Sequence, residues 1–335
     1  MNKLIFYVCA AAAFAGLTLY SCNKAKPKGG ETPPVKIGIA KIVQHPALDT
    51  IEQGIQDGLG ARNITAVYDL QNANGDMSTA AQIAAKFKTE KVDIAVGIAT
   101  PTSQALANTI KDIPVVFTTV TDPIGAGLVT TVAHGEGNVT GLSDAIPTVE
   151  HITLFKKIAG INTLGYIYTA SEANSAAALK LVEEGCLENG ITLIAQSINS
   201  SADVRQAAQS VVNRVDGLYL TTDNTVFSGL QAIIEVFRAA KKPLFSGDVT
   251  GVLNGGCMIA SGFNYYKAGI ATADIIVEII NGKNPDTIPV KFLAGPDETD
   301  FLIDLDSAKN CGIEIPEQYI EQANKIFENG TLYEK

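Results

Sequence analysis

The feature that most constrains the fold is an alternation of short apolar strands with amphipathic helices, which runs through the chain twice. In the first half, hydrophobic periodicity predicts strands and helices in turn at residues 35–42, 47–59, 64–70, 76–88, 93–98, 101–110 and 114–120. In the second half, the same alternation is predicted at residues 164–168, 172–188, 191–198, 202–215, 218–221, 226–240 and 243–245. Strands that alternate with helices of this length form parallel sheets covered on both faces. The chain is therefore predicted to be an α/β protein.

The two halves also match each other in sequence. Ile64 and Ile191 are 127 residues apart, and the same spacing separates Asp76 from Asp203 and one Ala-Ala-Gln triplet from another. Because the match preserves both the spacing and the order of strands and helices, two similar lobes are predicted. The predicted fold class is α/β, with two doubly wound parallel-sheet lobes, a hinge, and a ligand cleft between the lobes.

The N-terminal residues 1–21 are predicted to be a signal peptide. Lys3 precedes an apolar run from residue 4 to residue 19, which is short for a membrane span. The sequence Leu19-Tyr20-Ser21-Cys22 resembles the bacterial lipobox, in which a peptidase cuts before a cysteine that carries lipid such as palmitate, although Tyr20 departs from the usual small residue. Lipidation is therefore predicted at Cys22, and the alternative is a secreted protein cleaved nearby without an anchor. Residues 22–34, rich in Lys, Gly and Pro, are predicted to be a flexible linker.

Composition and motifs exclude several classes of function. With 25 basic and 35 acidic residues, the net charge is −10, so the chain lacks the basic surface that nucleic-acid binding needs. Cys186, Cys257 and Cys311 lack the C-x-x-C spacing of a metal or redox site. The sequence contains no P-loop, zinc-protease or dinucleotide-binding motif, and residues 141–145 lack the last glycine of a nucleophile elbow and are assigned to the hinge. We therefore expect a protein that is not an enzyme, with no cofactor, no metal site and no nucleic-acid partner.

Polar residues collect where the predicted strands end and the next helices begin. Ligands of parallel sheets bind beyond the carboxyl ends of the strands, where helix N-termini present free N–H groups to anions. Several of these residues have a local alternative, such as helix capping for Thr102 and Asp223 or a turn for His45 and Asp122. The candidate ligand-binding residues are Gln44, His45, Thr100, Thr102, Ser103, Gln104, Thr119, Thr121, Asp122, Asn174, Ser175, Asp223, Asn224 and Asp248.

Several of these residues lie in segments that resemble a known family. The segment GIATPTSQALANTIKDIPVVFTTVTDP, at 97–123, is similar to the substrate-binding proteins of a family of ABC importers, some of which take up tryptophan, tyrosine or phenylalanine. The resemblance extends from Val35 to the last helix, and it implies the type I periplasmic-binding-protein fold with three hinge crossings. On that fold, lobe 1 is expected at residues 35–146 and 263–292, and lobe 2 at residues 147–262 and 293–335. Further matching segments are NVTGLSD, SEANS, DNTV and IEIPE, at 138–144, 171–175, 223–226 and 313–317.

The resemblance and the lipobox together predict a function, although the resemblance by itself does not imply the specific amino acid. We expect a lipid-anchored, monomeric receptor of the cell envelope, facing the periplasm or the cell exterior, that captures an aromatic amino acid and delivers it to ABC permease subunits. Hydroxyl and amide groups of residues 100–104 are expected to bind the ligand carboxylate, and Asp223, with Asp248 as second choice, to accept from its ammonium group. The alternatives are a sugar or nucleoside receptor of the same fold, a sensory co-receptor that signals to a membrane kinase, and a secreted α/β enzyme.

Overall fold

A computed structural model describes residues 33–293, 295 and 297–335. The predicted signal peptide, the predicted lipidation site Cys22 and all but the end of the predicted linker lie outside these residues. Residues 34–335 form one unit that contains two β-sheets. Within the described part of the chain, no helix is both long and apolar enough to cross a membrane.

The first sheet and its helices form lobe 1. All neighbouring strands of this six-stranded sheet are parallel, in the order β11-β5-β4-β3-β1-β2. The strands are β1 (Val35–Lys41), β2 (Ala66–Asn72), β3 (Ile94–Ile98), β4 (Val115–Thr118), β5 (Val139–Ser143) and β11 (Lys291–Phe292). The helices are α1 (Pro46–Ala61), α2 (Met77–Glu90), α3 (Thr100–Thr109) and α10 (Tyr265–Ile280), with a 3₁₀ turn at Pro285–Thr287. Strands β3 to β5 are buried along their whole length, as in parallel sheets covered by helices on both faces.

The second sheet and its helices form lobe 2. This sheet has eight strands in the order β14-β13-β12-β10-β9-β8-β6-β7. The strands are β6 (Thr163–Thr169), β7 (Thr192–Ile198), β8 (Gly217–Leu220), β9 (Leu244–Ser246), β10 (Ile259–Phe263), β12 (Thr299–Asp304), β13 (Lys325–Glu328) and β14 (Thr331–Glu334). The helices are α4 (Thr148–Ala159), α5 (Ala173–Glu188), α6 (Val204–Val212), α7 (Asn224–Ser228), α8 (Leu230–Ala239), α9 (Thr250–Leu253), α11 (Leu305–Cys311) and α12 (Glu317–Gln322), with a 3₁₀ turn at Ser201–Asp203.

The first five strands of each lobe are arranged in the same way. In both sheets the second strand lies at one side, followed by the first, third, fourth and fifth strands. The predicted fold class, two doubly wound α/β lobes, is confirmed. The second sheet is not wholly parallel, however, because β12 is antiparallel to β10 and β14 is antiparallel to β13. Strand β12 runs in the opposite direction because the chain leaves β10 for lobe 1 and returns to lobe 2 at the same end of the sheet.

Three short segments connect the lobes. The chain passes from lobe 1 to lobe 2 between residues 143 and 148, returns between 263 and 265, and passes back between 292 and 299. The expected lobe boundaries, at 146/147, 262/263 and 292/293, lie within these segments or directly beside them. Phe263 itself pairs with Thr299 in the second sheet, although it was expected to begin the returning part of lobe 1.

The helix predicted at 226–240 is in fact two helices, α7 and α8, with Gly229 between them. A Cβ atom at Gly229 would lie 2.8 Å from the Cβ of Val204 on α6, so this close approach requires glycine. The apolar periodicity continues across the break, which is why the sequence pattern predicts one helix. The short helix α7 therefore has its own direction and faces the space between the lobes.

Glycines allow α1 and α10 to pack closely. A Cβ atom at Gly54 would lie 2.4 Å from the carbonyl oxygen of Tyr266, and one at Gly269 would lie 2.4 Å from the carbonyl oxygen of Ile51. A side chain at either position would push the helix backbones apart. The contact holds the start of α10, which follows the second crossing between the lobes, firmly against α1.

Candidate ligand-binding site

A cavity lies between the two lobes. It is bordered by residues that follow β1, β3, β4 and β5 in lobe 1, by residues that follow β6, β8 and β9 in lobe 2, and by the start of α10. These are carboxyl ends of strands, where open α/β sheets bind their ligands. The lining residues are His45, Ala47, Leu48, Ala99, Thr100, Thr119, Thr121, Asp144, Asn174, Thr222, Asp223, Asn224, Phe227, Asp248 and Tyr265.

Eight of the fourteen predicted ligand-binding residues line this cavity. Each of them comes shortly after the carboxyl end of a strand, so the topology brings them together from segments far apart in the sequence. Their placement is a structural finding, whereas their contacts with a ligand stay a prediction. The eight are His45, Thr100, Thr119, Thr121, Asn174, Asp223, Asn224 and Asp248.

Three residues predicted to bind a carboxylate at the start of α3 bond to backbone carbonyls instead. The Thr102 hydroxyl donates to the carbonyl of Ile98 at 2.6 Å, and the Ser103 hydroxyl donates to that of Ala99 at 2.8 Å. The Gln104 side chain donates to the carbonyl of Ala126 at 2.9 Å. None of the three lines the cavity, because their positions on α3 turn their side chains toward lobe 1 itself.

Three other predicted residues also lie outside the lining. Gln44 is exposed and donates to Asp49 at 2.5 Å. Asp122 accepts from the N–H of Gly125 at 2.8 Å, which is the turn that was its alternative interpretation. Ser175 donates to Asp223 at 2.6 Å, so it supports a lining residue from behind.

The backbone is strained at two residues that line the cavity. Ala99 has φ +76° and Thr119 has φ +52°, although neither is glycine. Left-handed backbone is especially unfavourable for a β-branched residue such as threonine. Strain of this kind persists only where surrounding structure enforces it, and it concentrates at functional sites. Both residues end strands of lobe 1, so the strain is located where that lobe meets the cavity.

The start of α3 is open toward the cavity. Its N-cap residue, Ala99, makes no side-chain hydrogen bond to the helix. Thr100 lines the cavity, and its hydroxyl oxygen is buried without a hydrogen-bond partner among the described residues. The first N–H groups of a helix have no acceptor within the helix, and they carry the positive end of its dipole. This helix start can therefore bind an anionic group such as a carboxylate.

The corresponding helix start in lobe 2, at α7, is already capped by Asp223. One carboxylate oxygen of Asp223 accepts from the N–H of Val226 and the hydroxyl of Thr169, both at 2.9 Å. The other accepts from the N–H of Thr169 and the hydroxyl of Ser175, both at 2.6 Å. A carboxylate offers about four acceptor positions, so these four donors occupy them. The geometry therefore favours helix capping over the predicted role of Asp223 as the acceptor for a ligand ammonium group.

Glu172 caps the same helix from a neighbouring loop. Its carboxylate accepts from the side chain of Asn224 at 2.7 Å and from the N–H and hydroxyl of Thr225 at 3.1 and 2.6 Å. Burial raises the pKa of Asp223, and the nearby charge of Glu172 adds to the rise. Two acidic side chains thus balance the positive end of α7, in contrast to the open start of α3.

Two further buried carboxylates border the cavity, Asp144 after β5 and Asp248 after β9. One oxygen of Asp144 accepts from the Thr121 hydroxyl at 2.9 Å. Burial raises the pKa of Asp144 to about 6, and the charge of Asp248 adds to the rise. One oxygen of Asp248 accepts from the N–H and hydroxyl of Thr250 at 2.7 and 2.5 Å.

Among the described residues, no lysine or arginine lines the cavity to balance these carboxylates. His45 does not supply the missing charge, because burial lowers its pKa and its Nδ1 accepts from the N–H of Ala47. Asn174 adds an acceptor: its amide nitrogen donates to Glu172 and to the carbonyl of Thr222, and its oxygen is buried with no partner in the described structure. The cavity therefore combines negative charge and free acceptors with no cation of its own.

Part of the cavity wall is apolar and aromatic. Leu48 comes from α1, Phe227 from α7 and Tyr265 from the start of α10. The rings of His45 and Phe227 meet edge to face across the lobes, with 5.5 Å between their centres. This wall can pack against an apolar or aromatic group of a ligand.

The residues that sequence reasoning missed are chiefly Asp144, Phe227 and Tyr265. Asp144 ends the NVTGLSD segment at 138–144, and residues 141–145 are assigned to the hinge because they end a strand that leads into the first crossing between the lobes. The same position, directly after the carboxyl end of a buried strand, also indicates a ligand-binding residue, as it does for the other candidates. Tyr265 follows β10, a strand that the sequence pattern does not predict, so no signal pointed to it.

Comparison with known proteins identifies similar chains of almost the same extent. The chain is 34% identical to the tyrosine-binding protein of Clostridioides difficile over 317 residues, which are 92% of this chain and 91% of that one. An ABC domain from Streptococcus pneumonia in complex with L-Trp is 31% identical and has a TM-score of 0.84, covering 88% of this chain and 100% of that one.

A third comparison concerns the spacing of the lobes. The ligand-free, open structure of a substrate-binding protein with adhesive properties from Clostridium difficile is 35% identical but has a TM-score of 0.64, covering 84% of this chain and 96% of that one. Although the identities of the two solved structures to this chain are similar, the chain superposes better on the L-Trp complex than on the ligand-free, open structure.

The family assignment rests on most of the chain. A model of the ABC transporter substrate binding proteins matches residues 36–327, which include both sheets except Val35, Glu328 and the last strand, β14. Members of this family bind small molecules outside the cytoplasm and work with ABC permeases. The match, the extent of the relatives and the cavity between two α/β lobes agree, and this chain belongs to the ABC transporter substrate-binding protein family.

Proposed function

We propose that the chain captures an amino acid with an aromatic side chain between its lobes and delivers it to an ABC permease, without acting on it as an enzyme. The observation that carries this proposal is the pair of buried carboxylates, Asp144 and Asp248, in a cavity with no lysine or arginine in its described lining. Buried charges are costly unless they are paired. A ligand ammonium group supplies the missing positive charge.

The two ends of the cavity match the two charges of an amino acid. The ammonium group binds at Asp144 and Asp248, and its remaining proton reaches a neutral acceptor such as the free oxygen of Asn174. The carboxylate binds at the open start of α3, where the Thr100 hydroxyl and the first N–H groups of the helix donate to it. It does not bind at α7, because Asp223 and Glu172 already occupy that helix start.

The aromatic wall supports an aromatic side chain on the ligand. Phe227 and Tyr265 present ring surfaces to the cavity, and Leu48 adds an apolar one. The names of two similar proteins, one tyrosine-binding and one solved with L-Trp, agree with this assignment. A sugar, in contrast, brings hydroxyl donors but no positive charge, so it would leave the negative charges of both carboxylates uncompensated.

Ligand analogues test the proposal directly. The chain contains no tryptophan, so selective excitation of indole reports only the ligand, and its emission should shift to the blue when it is buried. Indole-3-propionate, which lacks the ammonium group, should bind more weakly than L-Trp by about 2–5 kcal/mol, or roughly thirtyfold to several thousandfold. Tryptophan amide, which keeps the ammonium but lacks the carboxylate, tests the α3 end. Binding of a sugar in calorimetry, together with no binding of Trp, Tyr or Phe, would overturn the proposal.

The envelope location and the lipid anchor belong to the same proposal. The resemblance of residues 19–22 to a lipobox supports an anchor on Cys22, with residues 22–34 as the tether between membrane and receptor. An anchor of this kind keeps a monomeric receptor close to its permease. The structural description begins at residue 33, so the support for the anchor comes from the sequence.

A further inference from the structure

A hydrogen bond between side chains joins the two lobes beside the cavity. Thr121, which follows β4 in lobe 1, and Thr222, which follows β8 in lobe 2, have their hydroxyl oxygens 3.2 Å apart. Both residues line the cavity. Two further polar contacts cross between the lobes at this cavity, Thr222 with Asp144 and Tyr265 with Asp248.

Thr121 also contacts the carboxylate that we assign to the ligand ammonium group. Its hydroxyl oxygen is 2.9 Å from an oxygen of Asp144. A hydroxyl has one proton to donate and two lone pairs that accept. The Thr121 proton points to the ionised carboxylate, because a hydrogen bond to a charged acceptor is the stronger one. The proton of Thr222 then points to Thr121, and the three groups form a chain of donors directed from lobe 2 to Asp144.

We propose that Thr222 and Thr121 form a relay that couples closure of the lobes to the position of the Asp144 carboxylate. The relay rests on the proposed function, in which Asp144 binds the ligand ammonium group. Both threonines are positioning residues, since they act through Asp144. When the lobes separate, Thr121 loses its donor in lobe 2. When the lobes close, the hydrogen bond from Thr222 to Thr121 polarises the one from Thr121 to Asp144 and holds the carboxylate in its binding position.

The relay also sets how easily Asp144 is protonated. The groups that face Asp144 are Thr121 from lobe 1, Thr222 and Asp248 from lobe 2, and Tyr265 at the start of α10. Burial and Asp248 raise the pKa of Asp144, whereas hydrogen bonds from the two threonines lower it. Removing either hydroxyl therefore raises this pKa further. The pH below which ligand binding weakens should move upward with it.

The test is a double-mutant cycle with Thr121→Val and Thr222→Val, in which valine keeps the shape and removes the hydroxyl. L-Trp affinity and dissociation rate are measured by ligand fluorescence over a range of pH. Each single variant should weaken binding by about five- to tenfold, mainly through faster dissociation, because one hydrogen bond is lost. The double variant should lose little more than a single variant, since the two hydroxyls act on one another. In both single variants, the pH below which ligand binding weakens should also be higher than in the wild-type protein.

Thr221→Val is the matched control, because Thr221 is the neighbour of Thr222. Its hydroxyl lies 2.9 Å from that of Tyr166, deep within lobe 2, and does not reach lobe 1. The control should lower thermal stability but leave unchanged both the affinity for L-Trp and the pH below which binding weakens.

The outcomes separate the relay from the proposed function. The relay alone is overturned if the losses of affinity add up in the double variant, because the two contacts are then independent. It is also overturned if variants that fold normally show no change in the pH below which binding weakens. If wild-type protein binds none of Trp, Tyr and Phe, the proposed function fails and the relay fails with it.

Discussion

Replacement of Asp144 by asparagine should have opposite effects on ligand binding and on stability. Asparagine has almost the same shape, and its oxygen can still accept from the Thr121 hydroxyl, which lies 2.9 Å from Asp144 in the wild-type protein. The substitution therefore removes one negative charge and leaves the packing nearly unchanged. This separates the charge of Asp144 from its contribution to the structure.

Binding of an amino acid should become weaker in Asp144→Asn. Removing one partner of a desolvated charge pair costs about 2–5 kcal/mol. Asp248 borders the same cavity and keeps its charge, so we expect a loss near the lower end, about 2–3 kcal/mol, or roughly thirty- to two-hundredfold in the dissociation constant. The loss should disappear for ligands without an ammonium group.

Stability of the ligand-free protein should increase in the same variant. The pKa of the Asp144 carboxyl is about 6 in the folded protein and 3.8 as its ordinary value, so the folded state holds this proton more tightly. Ionisation as the pH rises from 3.8 to about 6 therefore lowers the free energy of unfolding, by about 3 kcal/mol in total. Asparagine carries no charge to bury. Asp144→Asn should thus be more stable than wild type at neutral pH by up to about 3 kcal/mol, and the difference should vanish below about pH 4.

Calorimetric titration and urea unfolding of the ligand-free protein measure the two effects. Asp223→Asn is the matched control, because it removes a buried carboxylate from the same cavity. There the new amide nitrogen would face donors such as the N–H of Thr169 and the hydroxyl of Ser175, so we expect lower stability with little change in affinity. The reverse pattern, a large loss of affinity in Asp223→Asn and none in Asp144→Asn, would refute the assignment of the ammonium group.

Other predictions concern the packing, a buried histidine and the anchor. Gly54→Ala should destabilise the protein by about 1–3 kcal/mol in urea unfolding, because its Cβ would lie 2.4 Å from a carbonyl oxygen of α10, whereas Gly60→Ala on the same helix meets nothing and should not destabilise it. Burial lowers the pKa of His151 from 6.5 to about 4, so the unfolded chain binds this proton first and stability should fall by about 3 kcal/mol as the pH drops through that interval. The His151→Gln variant should lack this dependence of stability on pH. An equal dependence in both proteins would show that His151 is not its cause. Full-length protein should partition into detergent, and partitioning that survives Cys22→Ser would exclude lipidation there.

The fold was predictable because its signals are local and repeated. The first four strands of each lobe and the helices between them follow from apolar periodicity, and topology then places residues such as His45 and Thr100 at one edge of the sheets. The break at Gly229 was not predictable in this way, because it depends on the approach of Val204 from another helix. The antiparallel strand β12 likewise follows from the return of the chain from lobe 1, which periodicity does not reveal.

The candidate site was predictable in position but not in the roles of its residues. Asp223 and Asp144 both follow buried strands, and the sequence around each allows either capping or ligand binding. What distinguishes them is the number of donors around each carboxylate. Two of the donors to Asp223 come from Thr169, which is 54 residues away in the chain, and no local pattern reports such contacts.

The unequal capping of α3 and α7 has a consequence for chirality. The two lobes repeat the same strand order, but only one of the two corresponding helix starts remains free for an anion. A duplicated scaffold has thereby lost its internal symmetry, and the site distinguishes a positive end, a negative end and an aromatic wall. Three different attachment points that do not lie on one line recognise one hand of a molecule. On the proposed function, the mirror image of the bound amino acid would match only two of them at a time, so we expect this arrangement to favour one enantiomer.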